Sequence, residues 1–202
     1  GFFEMTCLAG INLCLMTFGV SKVRHTGRTP GSTRALCLFL GAVTEFLAAS
    51  SAAKMVMYIG TYGLTSLRVL TQIIMLFLAV TTVVVTVWLF VPRLPYMKVV
   101  ILAALVIGAV TFWVDVDTVV ANYNVDAYLS GKLETVDVSY LYYDIGPEAV
   151  APMDRLAAEA EDPAVRQMAR EFAEKNRERY HTENITQDLR GWNYVLHRAK
   201  KP

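Results

Sequence analysis

Charged residues are scarce in this 202-residue sequence, and they are unevenly placed. Only 18% of the residues are Asp, Glu, Lys or Arg, below the roughly 25% of soluble domains. Residues 1–114 contain eight Lys or Arg and two Asp or Glu, a net charge of +6, whereas residues 115–202 contain eleven and sixteen, a net charge of −5. The scarcity excludes an ordinary water-soluble fold for the first part. The overall charge of +1 is a cancellation that gives no support for nucleic-acid binding, and we expect no such partner.

Cysteine and histidine are also rare, with three of each. Cys7, Cys14 and Cys37 fall in apolar stretches, where we interpret them as small packing residues, and the second part has no cysteine for a disulfide framework. The histidines lie in separate polar regions without the spacing of metal ligands. No P-loop, glycine-rich nucleotide fingerprint, nucleophile elbow or HExxH motif is present. The sequence therefore predicts no metal, no cofactor and no catalytic residue.

Long apolar stretches fill the first part of the chain. A bilayer core about 30 Å thick requires roughly 20 mostly apolar residues in a helix. The predicted membrane spans are residues 2–20, 35–59, 69–91 and 94–114. A soluble helical core is the alternative, but its apolar runs are usually broken by polar residues at every turn, unlike residues 69–91 and 99–114, which carry no charge. We therefore predict an all-α protein: a polytopic membrane bundle of about four spans in residues 1–114, with the lipid bilayer as its partner.

The basic residues of the short loops predict the orientation of the spans. Positive charge marks the cytoplasmic side, and two of the three loops carry it, at Lys22, Arg24, Arg28, Arg34, Arg93 and Lys98. The middle loop has no Lys or Arg between Tyr58 and Ser66. We expect the two basic loops to be cytoplasmic, and the middle loop and residues 115–202 to be extracytoplasmic.

The pattern of residues 115–202 predicts a small polar helical domain. The helix after Asp115 is expected to continue the fourth span and to stop at Gly131, and Asp137 is expected to cap a short turn. Gly146-Pro147 opens a helix to about Ala160, and Asp162-Pro163 caps the next, so the two form a helical hairpin. The predicted buried stripes are Val150, Met153, Leu156 and Ala157, and Val165, Met168, Ala169 and Phe172. A last amphipathic piece, residues 185–201, either docks on this hairpin or lies on the bilayer.

Placing an ionisable side chain within a membrane span costs free energy, so such a residue suggests a function. Glu4, Lys54 and Arg68 are expected at a similar depth near the outer surface, as an ion-pair cluster or an anion site; the alternative is that the two cations snorkel to the interface. Glu45 lies near mid-membrane with Asn12 at a comparable depth, which fits either a proton or substrate contact or a helix-packing hydrogen bond. Asp115 and Asp117 are only two residues apart on a helix, so they make a poor catalytic pair.

Three segments resemble a known family: MYIGTYGLTSLRVLT (57–71), NYNVDAYLSGKLETVDVSYL (122–141) and GPEAVAPM (146–153). They are similar to the C-terminal part of a bacterial membrane family, "domain of unknown function 4173", a relative of family 4153. The most specific block is Tyr62, Gly63, Leu64, Thr65 and Arg68. Within it, we expect Gly63 to permit a tight turn and Thr65 or Ser66 to cap the third span. The resemblance implies a multi-pass protein of the bacterial inner membrane whose upstream spans are missing from this chain, and it implies no activity.

Three classes of function fit these features. The first is a membrane-anchored sensor or scaffold whose outward tail, residues 115–202, docks a protein partner. The second is a transporter-like component that uses Glu45 and the Lys54/Arg68 cluster. The third, a membrane enzyme acting on lipid or cell-envelope precursors, is the weakest, because no nucleophile–base set is visible.

Overall fold

The computed structural model describes residues 2–25, 30–91 and 93–183, and all of its regular structure is helical. The helices are α1 (Phe2–His25), α2 (Gly31–Tyr62), α3 (Ser66–Phe90), α4 (Tyr96–Trp113), α5 (Val116–Leu129), α6 (Val138–Tyr140), α7 (Val150–Glu159) and α8 (Pro163–Glu183). Between α6 and α7 the chain forms a π-helical turn (Leu141–Ile145) and a 3-10 turn (Gly146–Ala149). The predicted all-α fold is confirmed.

The chain forms two compact units. The first contains residues 1–57 and 67–113, and the second contains residues 58–66 and 114–202. The turn that joins α2 to α3 therefore belongs with the residues that follow Trp113, although it lies between two of the apolar helices in the sequence.

The first unit contains the four long apolar helices. Each is long and apolar enough to cross a membrane, and together they are consistent with a membrane protein. The helices extend beyond the predicted spans, since α1 runs to His25 and α2 from Gly31 to Tyr62. Most of their large apolar side chains are exposed, as expected of a surface that faces lipid rather than water.

The inside of this unit has an apolar cluster at one level and hydroxyl groups along the helices. The cluster consists of Met16, Val20, Cys37, Val85, Trp88 and Leu89. Buried threonines satisfy their hydroxyls on their own helix: Thr44 donates to the Leu40 carbonyl at 2.7 Å and Thr82 to the Leu78 carbonyl at 2.9 Å. Such internal bonds allow polar side chains to be buried in an apolar medium without a partner helix.

The second unit is built on helix caps and a small apolar core. Asp115 accepts from the Thr118 N–H and Asp137 from the Tyr140 N–H, which begins α5 and α6. Its core includes Val120, Val125, Leu141, Met153, Leu156 and Ala169, each 3% exposed or less. The helix α5 ends at Leu129, and Gly131 follows it with φ of 71°. The predicted cap at Asp137 and the stop at Gly131 are confirmed.

The predicted hairpin is confirmed, since α7 packs against α8 and Asp162 accepts from the Ala164 N–H at 2.8 Å. Arg166 of α8 donates to the Ala160 carbonyl, which terminates α7. The stripe of α7 is buried as predicted.

Two expectations for this unit were wrong. The fourth span does not continue into α5, because the chain breaks at Val114 and Asp115 caps a separate helix. Met168 is 44% exposed, and the buried face of α8 runs instead through Ala169, Ala173 and Asn176. The amphipathic piece at residues 185–201 lies outside the described residues.

Candidate functional site

The turn between α2 and α3 is held at its backbone by one buried side chain. The Leu64 N–H donates to Asn124 Oδ1 at 2.7 Å, and Asn124 Nδ2 donates to the Leu64 carbonyl at 2.8 Å. Asn124 lies on α5 and is 7% exposed. A primary amide that binds one residue's N–H and C=O together satisfies both groups and fixes the peptide's orientation. The contact joins residues 60 positions apart.

Gly63 makes this contact sterically feasible. Its φ is +75°, a conformation that side-chain-bearing residues rarely adopt. A β-carbon at this position would lie 2.6 Å from Asn124 Oδ1. The expected tight turn at Gly63 is therefore present, and the lack of a side chain also admits the amide of Asn124.

The start of α3 is held in a similar way. The Ser66 N–H donates to Tyr140 Oη at 3.0 Å, and the Ser66 hydroxyl donates to Asp117 Oδ1 at 2.5 Å. Tyr140 is itself positioned by the cap at Asp137, whose Oδ1 accepts from the Tyr140 N–H at 2.9 Å. We call Asn124, Asp117 and Tyr140 the turn clamp, because each binds the segment that joins α2 to α3.

An acidic side chain lies beside the clamp. Burial raises the pKa of Glu148 above its usual value, and the negative charges of Asp115 and Asp117 raise it further, whereas a hydrogen bond with its own backbone lowers it. The three carboxyl groups come from the start of α5 and from the 3-10 turn, which pack against each other. The folded unit therefore favours a proton on Glu148 more than the unfolded chain does.

Replacing Glu148 should test this charge environment. Because its folded-state pKa is raised, Glu148 weakens the fold progressively as pH rises from about 4.5, its ordinary pKa, through the raised value, and the penalty then stays constant. Glu148→Gln should raise the melting temperature by a few degrees at pH 7 and leave it unchanged at pH 4. Thermal melts at both pH values measure this, with the exposed Glu134→Gln as control. An equal effect of Glu148→Gln at both pH values would contradict it.

The side chains of the clamp are hydrogen-bonding groups that bind backbone atoms and one hydroxyl of the turn. Across residues 2–25, 30–91 and 93–183, no group of three or more His, Cys, Asp or Glu side chains is arranged to hold a metal ion. Asp117 is bonded to Ser66 and Asp115 to Thr118, so each of the two carboxylates has a local structural partner.

The five polar residues predicted within the spans all lie in the first unit. Glu4 and Lys54 are exposed on α1 and α2, while Asn12, Glu45 and Arg68 are half-buried on α1, α2 and α3. Their proposed roles as an ion-pair, anion or proton site stay predictions.

The family-like block is partly assembled by the clamp. Tyr62 is 65% exposed and its ring lies 4.5 Å from that of Tyr58, whereas Gly63 is buried. Ser66, the first residue of α3, has its N–H and hydroxyl bound by Tyr140 and Asp117. The second unit thus supplies groups that bind the start of the helix.

The residues of the clamp are not among those predicted from the sequence. Asn124 and Tyr140 lie within a segment that resembles the family, and Asp117 stands out in the sequence only as one of two neighbouring carboxylates. One signal was available for Asn124: it lies among Val120, Ala121 and Val125 on the buried face of α5, where an amide side chain requires a partner.

Comparison with known proteins identifies a family whose model includes the turn and the clamp. The family model "Domain of unknown function (DUF4153)" matches residues 1–156, which include the turn and every residue of the clamp. No curated protein and no solved structure matches the chain. The matched family is thus 4153, the relative of the family 4173 that the three segments resemble. Because the match covers more than half of its residues, the chain belongs to the DUF4153 family, whose function is unknown.

Proposed function

We propose that this protein is a membrane-anchored sensor or scaffold, in which a helical domain outside the membrane sets the position of the turn between two membrane spans. One observation carries the proposal: the turn clamp binds the backbone of Leu64 and Ser66 and the hydroxyl of Ser66, in the segment that joins α2 to α3. A change in the domain that moves α5 or α6 therefore acts directly on the chain between two spans.

The domain also has a surface that suits a partner. An aromatic group forms between the π-helical turn and α8, in which Tyr142 stacks on Phe172 at 4.6 Å and Tyr143 packs edge-on against Tyr142 at 4.7 Å. Tyr143 is 71% exposed. Aromatic residues are enriched at protein interfaces, which supports a protein partner on this domain.

The proposed location is the bacterial inner membrane, with residues 115–202 extracytoplasmic. The four apolar helices and the basic residues of the two loops support it. All native cysteines lie in α1 and α2, so the exposed residue Glu174 can be replaced by cysteine and treated with a membrane-impermeant maleimide in intact cells. Labelling without permeabilisation supports the orientation, and labelling only after permeabilisation reverses it.

The link between domain and turn is tested by removing one hydroxyl. Tyr140→Phe removes the acceptor for the Ser66 N–H and keeps the ring. Deuterium uptake, measured by mass spectrometry on the whole protein in lipid nanodiscs, should rise in peptides that cover residues 58–70. Loss of one hydrogen bond costs about 0.5–1.5 kcal/mol, which corresponds to a several-fold faster local exchange.

Tyr143→Phe is the matched control, since it makes the same chemical change three residues away on an exposed ring. It should leave the uptake of residues 58–70 unchanged. If Tyr140→Phe also leaves it unchanged, the domain does not set the state of the turn and the proposed function fails.

A further inference from the structure

Inside the first unit, three polar atoms are buried without a hydrogen-bond partner among the described residues. They are Glu45 Oε1 and Ser51 Oγ on α2 and Gln72 Nε2 on α3. Ser51 is the most informative, because its side chain is 0% exposed. The buried Thr44 and Thr82 donate to the carbonyl four residues earlier in their own helix, and Ser51 does not use that option.

The depths of these atoms follow from one contact among three helices. A β-carbon at Gly41 would lie 3.1 Å from Thr86 Oγ1 and 3.3 Å from Met16 Cε, so these three residues share a level. At 1.5 Å per helical residue, Glu45 lies about 6 Å, Ser51 about 15 Å and Gln72 about 21 Å from that level. All three are displaced in the same direction, toward the end of the bundle where α2 ends and α3 begins, here named the turn end.

The opposite end is closed by the apolar cluster. Its members lie within one residue of the Gly41 level or farther from the turn end, since Cys37 precedes Gly41 by one turn and Trp88 follows Thr86. The ring of Trp88 stacks on that of Tyr96 at 3.9 Å, and Leu13, Leu40 and Leu94 pack around the cluster. Among the described residues of the first unit, the buried polar side-chain atoms without a partner thus lie in the half of the bundle near the turn end.

A hydroxyl, an amide and a carboxyl with free hydrogen-bonding capacity, whose depths along the helix axes differ by about 6–9 Å from one group to the next, suit a chain of water molecules. Leaving such groups unpaired in an apolar medium costs several kcal/mol each, and water that makes two to four bonds removes this penalty. An ionisable residue within a span commonly marks such a path.

We infer that Gln72, Ser51 and Glu45 form a hydrated polar seam, which leads from the turn end to Glu45 and gives water, and with it protons, access to that carboxyl from one side only. The apolar cluster separates Glu45 from the other side. This inference goes beyond the proposed sensor function and does not depend on it.

Thiol modification by a cationic, membrane-impermeant methanethiosulfonate tests the seam in the whole protein in vesicles. Cys7 and Cys14 are first replaced by serine, and Cys37 is kept as a reporter of the closed cluster, where it is 3% exposed. Ser51→Cys, Gln72→Cys and Glu45→Cys then probe the seam one at a time. Because the reagent attacks the thiolate, which forms poorly in apolar surroundings, these thiols should react at least about tenfold faster than Cys37.

Two further variants separate hydration from depth. Ala49→Cys and Ala53→Cys bracket Ser51 on the same helix, but both lie on its exposed face, where the first unit meets lipid. Each should react more slowly than Ser51→Cys, although Ala53 is nearer the turn end. Sidedness is calibrated with Gly60→Cys, where a side chain meets no neighbour, and with the exposed Arg93→Cys.

The expected result is modification of Ser51→Cys and Gln72→Cys only from the side that modifies Gly60→Cys. The seam is disproved if both react as slowly as Cys37, as a dry contact with a further helix would require. It is equally disproved if Ala53→Cys reacts as fast as Ser51→Cys, or if modification occurs from the side that modifies Arg93→Cys.

Discussion

Gly63→Ala should destabilise the protein by about 3 kcal/mol or more, because two penalties coincide at this position. A side-chain-bearing residue in the left-handed region costs roughly 1–2 kcal/mol, and Gly63 has φ of +75°. The added methyl group would also lie 2.6 Å from Asn124 Oδ1. The amide must then move away from Leu64, and each buried group that loses its partner costs about 1–3 kcal/mol.

Two other glycines separate these penalties. Gly131 has φ of +71° but its β-carbon would meet nothing, so Gly131→Ala should show the backbone penalty alone, about 1–2 kcal/mol. Gly60 is helical and its β-carbon also meets nothing, so Gly60→Ala should be neutral or slightly stabilising, by up to about 1 kcal/mol. Thermal unfolding in one detergent ranks the three. If Gly63→Ala costs no more than Gly131→Ala, the close approach of Asn124 is not what requires glycine.

Local chemistry explains which parts of the fold could be predicted from sequence. The apolar helices follow from long stretches with little charge, since a lipid-exposed segment must satisfy its own backbone. The caps at Asp137 and Asp162 and the stop at Gly131 depend on residues within one turn of the helix end. For the same reason, the break before α5 could have been predicted, because Asp115 is a good N-cap followed closely by Thr118.

The error at Met168 shows the limit of periodicity. The stripe through Val165, Ala169 and Phe172 is compatible with two neighbouring faces of α8, and its apolar spacing predicts that Met168 shares the buried one. The structure instead buries Asn176, whose Nδ2 donates to the Gly146 carbonyl at 3.1 Å. A buried amide with a specific backbone partner can determine which face of a helix turns inward, and its partner is 30 positions away.

The turn clamp could not be predicted for a similar reason. Its three contacts join residues 51, 60 and 74 positions apart, and each uses an ordinary residue type. The sequence singled out the turn through its resemblance to a family but contained no pattern that pairs Leu64 with Asn124. The buried polar atoms without a partner in the bundle could not be predicted either. Ser51 and Thr44 belong to the same class of residue and differ only in what their hydroxyls contact.

Asn124→Ala should destabilise the protein by about 2–4 kcal/mol, because it leaves the Leu64 N–H and C=O without their partner. Hydrogen exchange at the Leu64 amide should rise in parallel. The control is Asn122→Ala, on the same helix, where Nδ2 donates to the Thr118 carbonyl of α5 itself. That variant should cost less than about 1 kcal/mol, since this bond stays within one helix and its loss leaves no fully buried backbone group without a partner.

Combining the two substitutions tests whether Gly63 and Asn124 act through one contact. Once Asn124 is alanine, a β-carbon at residue 63 no longer meets an amide oxygen, and only the backbone penalty at residue 63 remains. The double variant should therefore be more stable than the sum of the single effects predicts, by about 1–2 kcal/mol. Additive effects would mean that the two residues stabilise the turn independently. If the double variant is destabilised by about 1–2 kcal/mol less than the sum of the two single variants, the Gly63–Asn124 contact is the point where the helical domain fixes the geometry between α2 and α3.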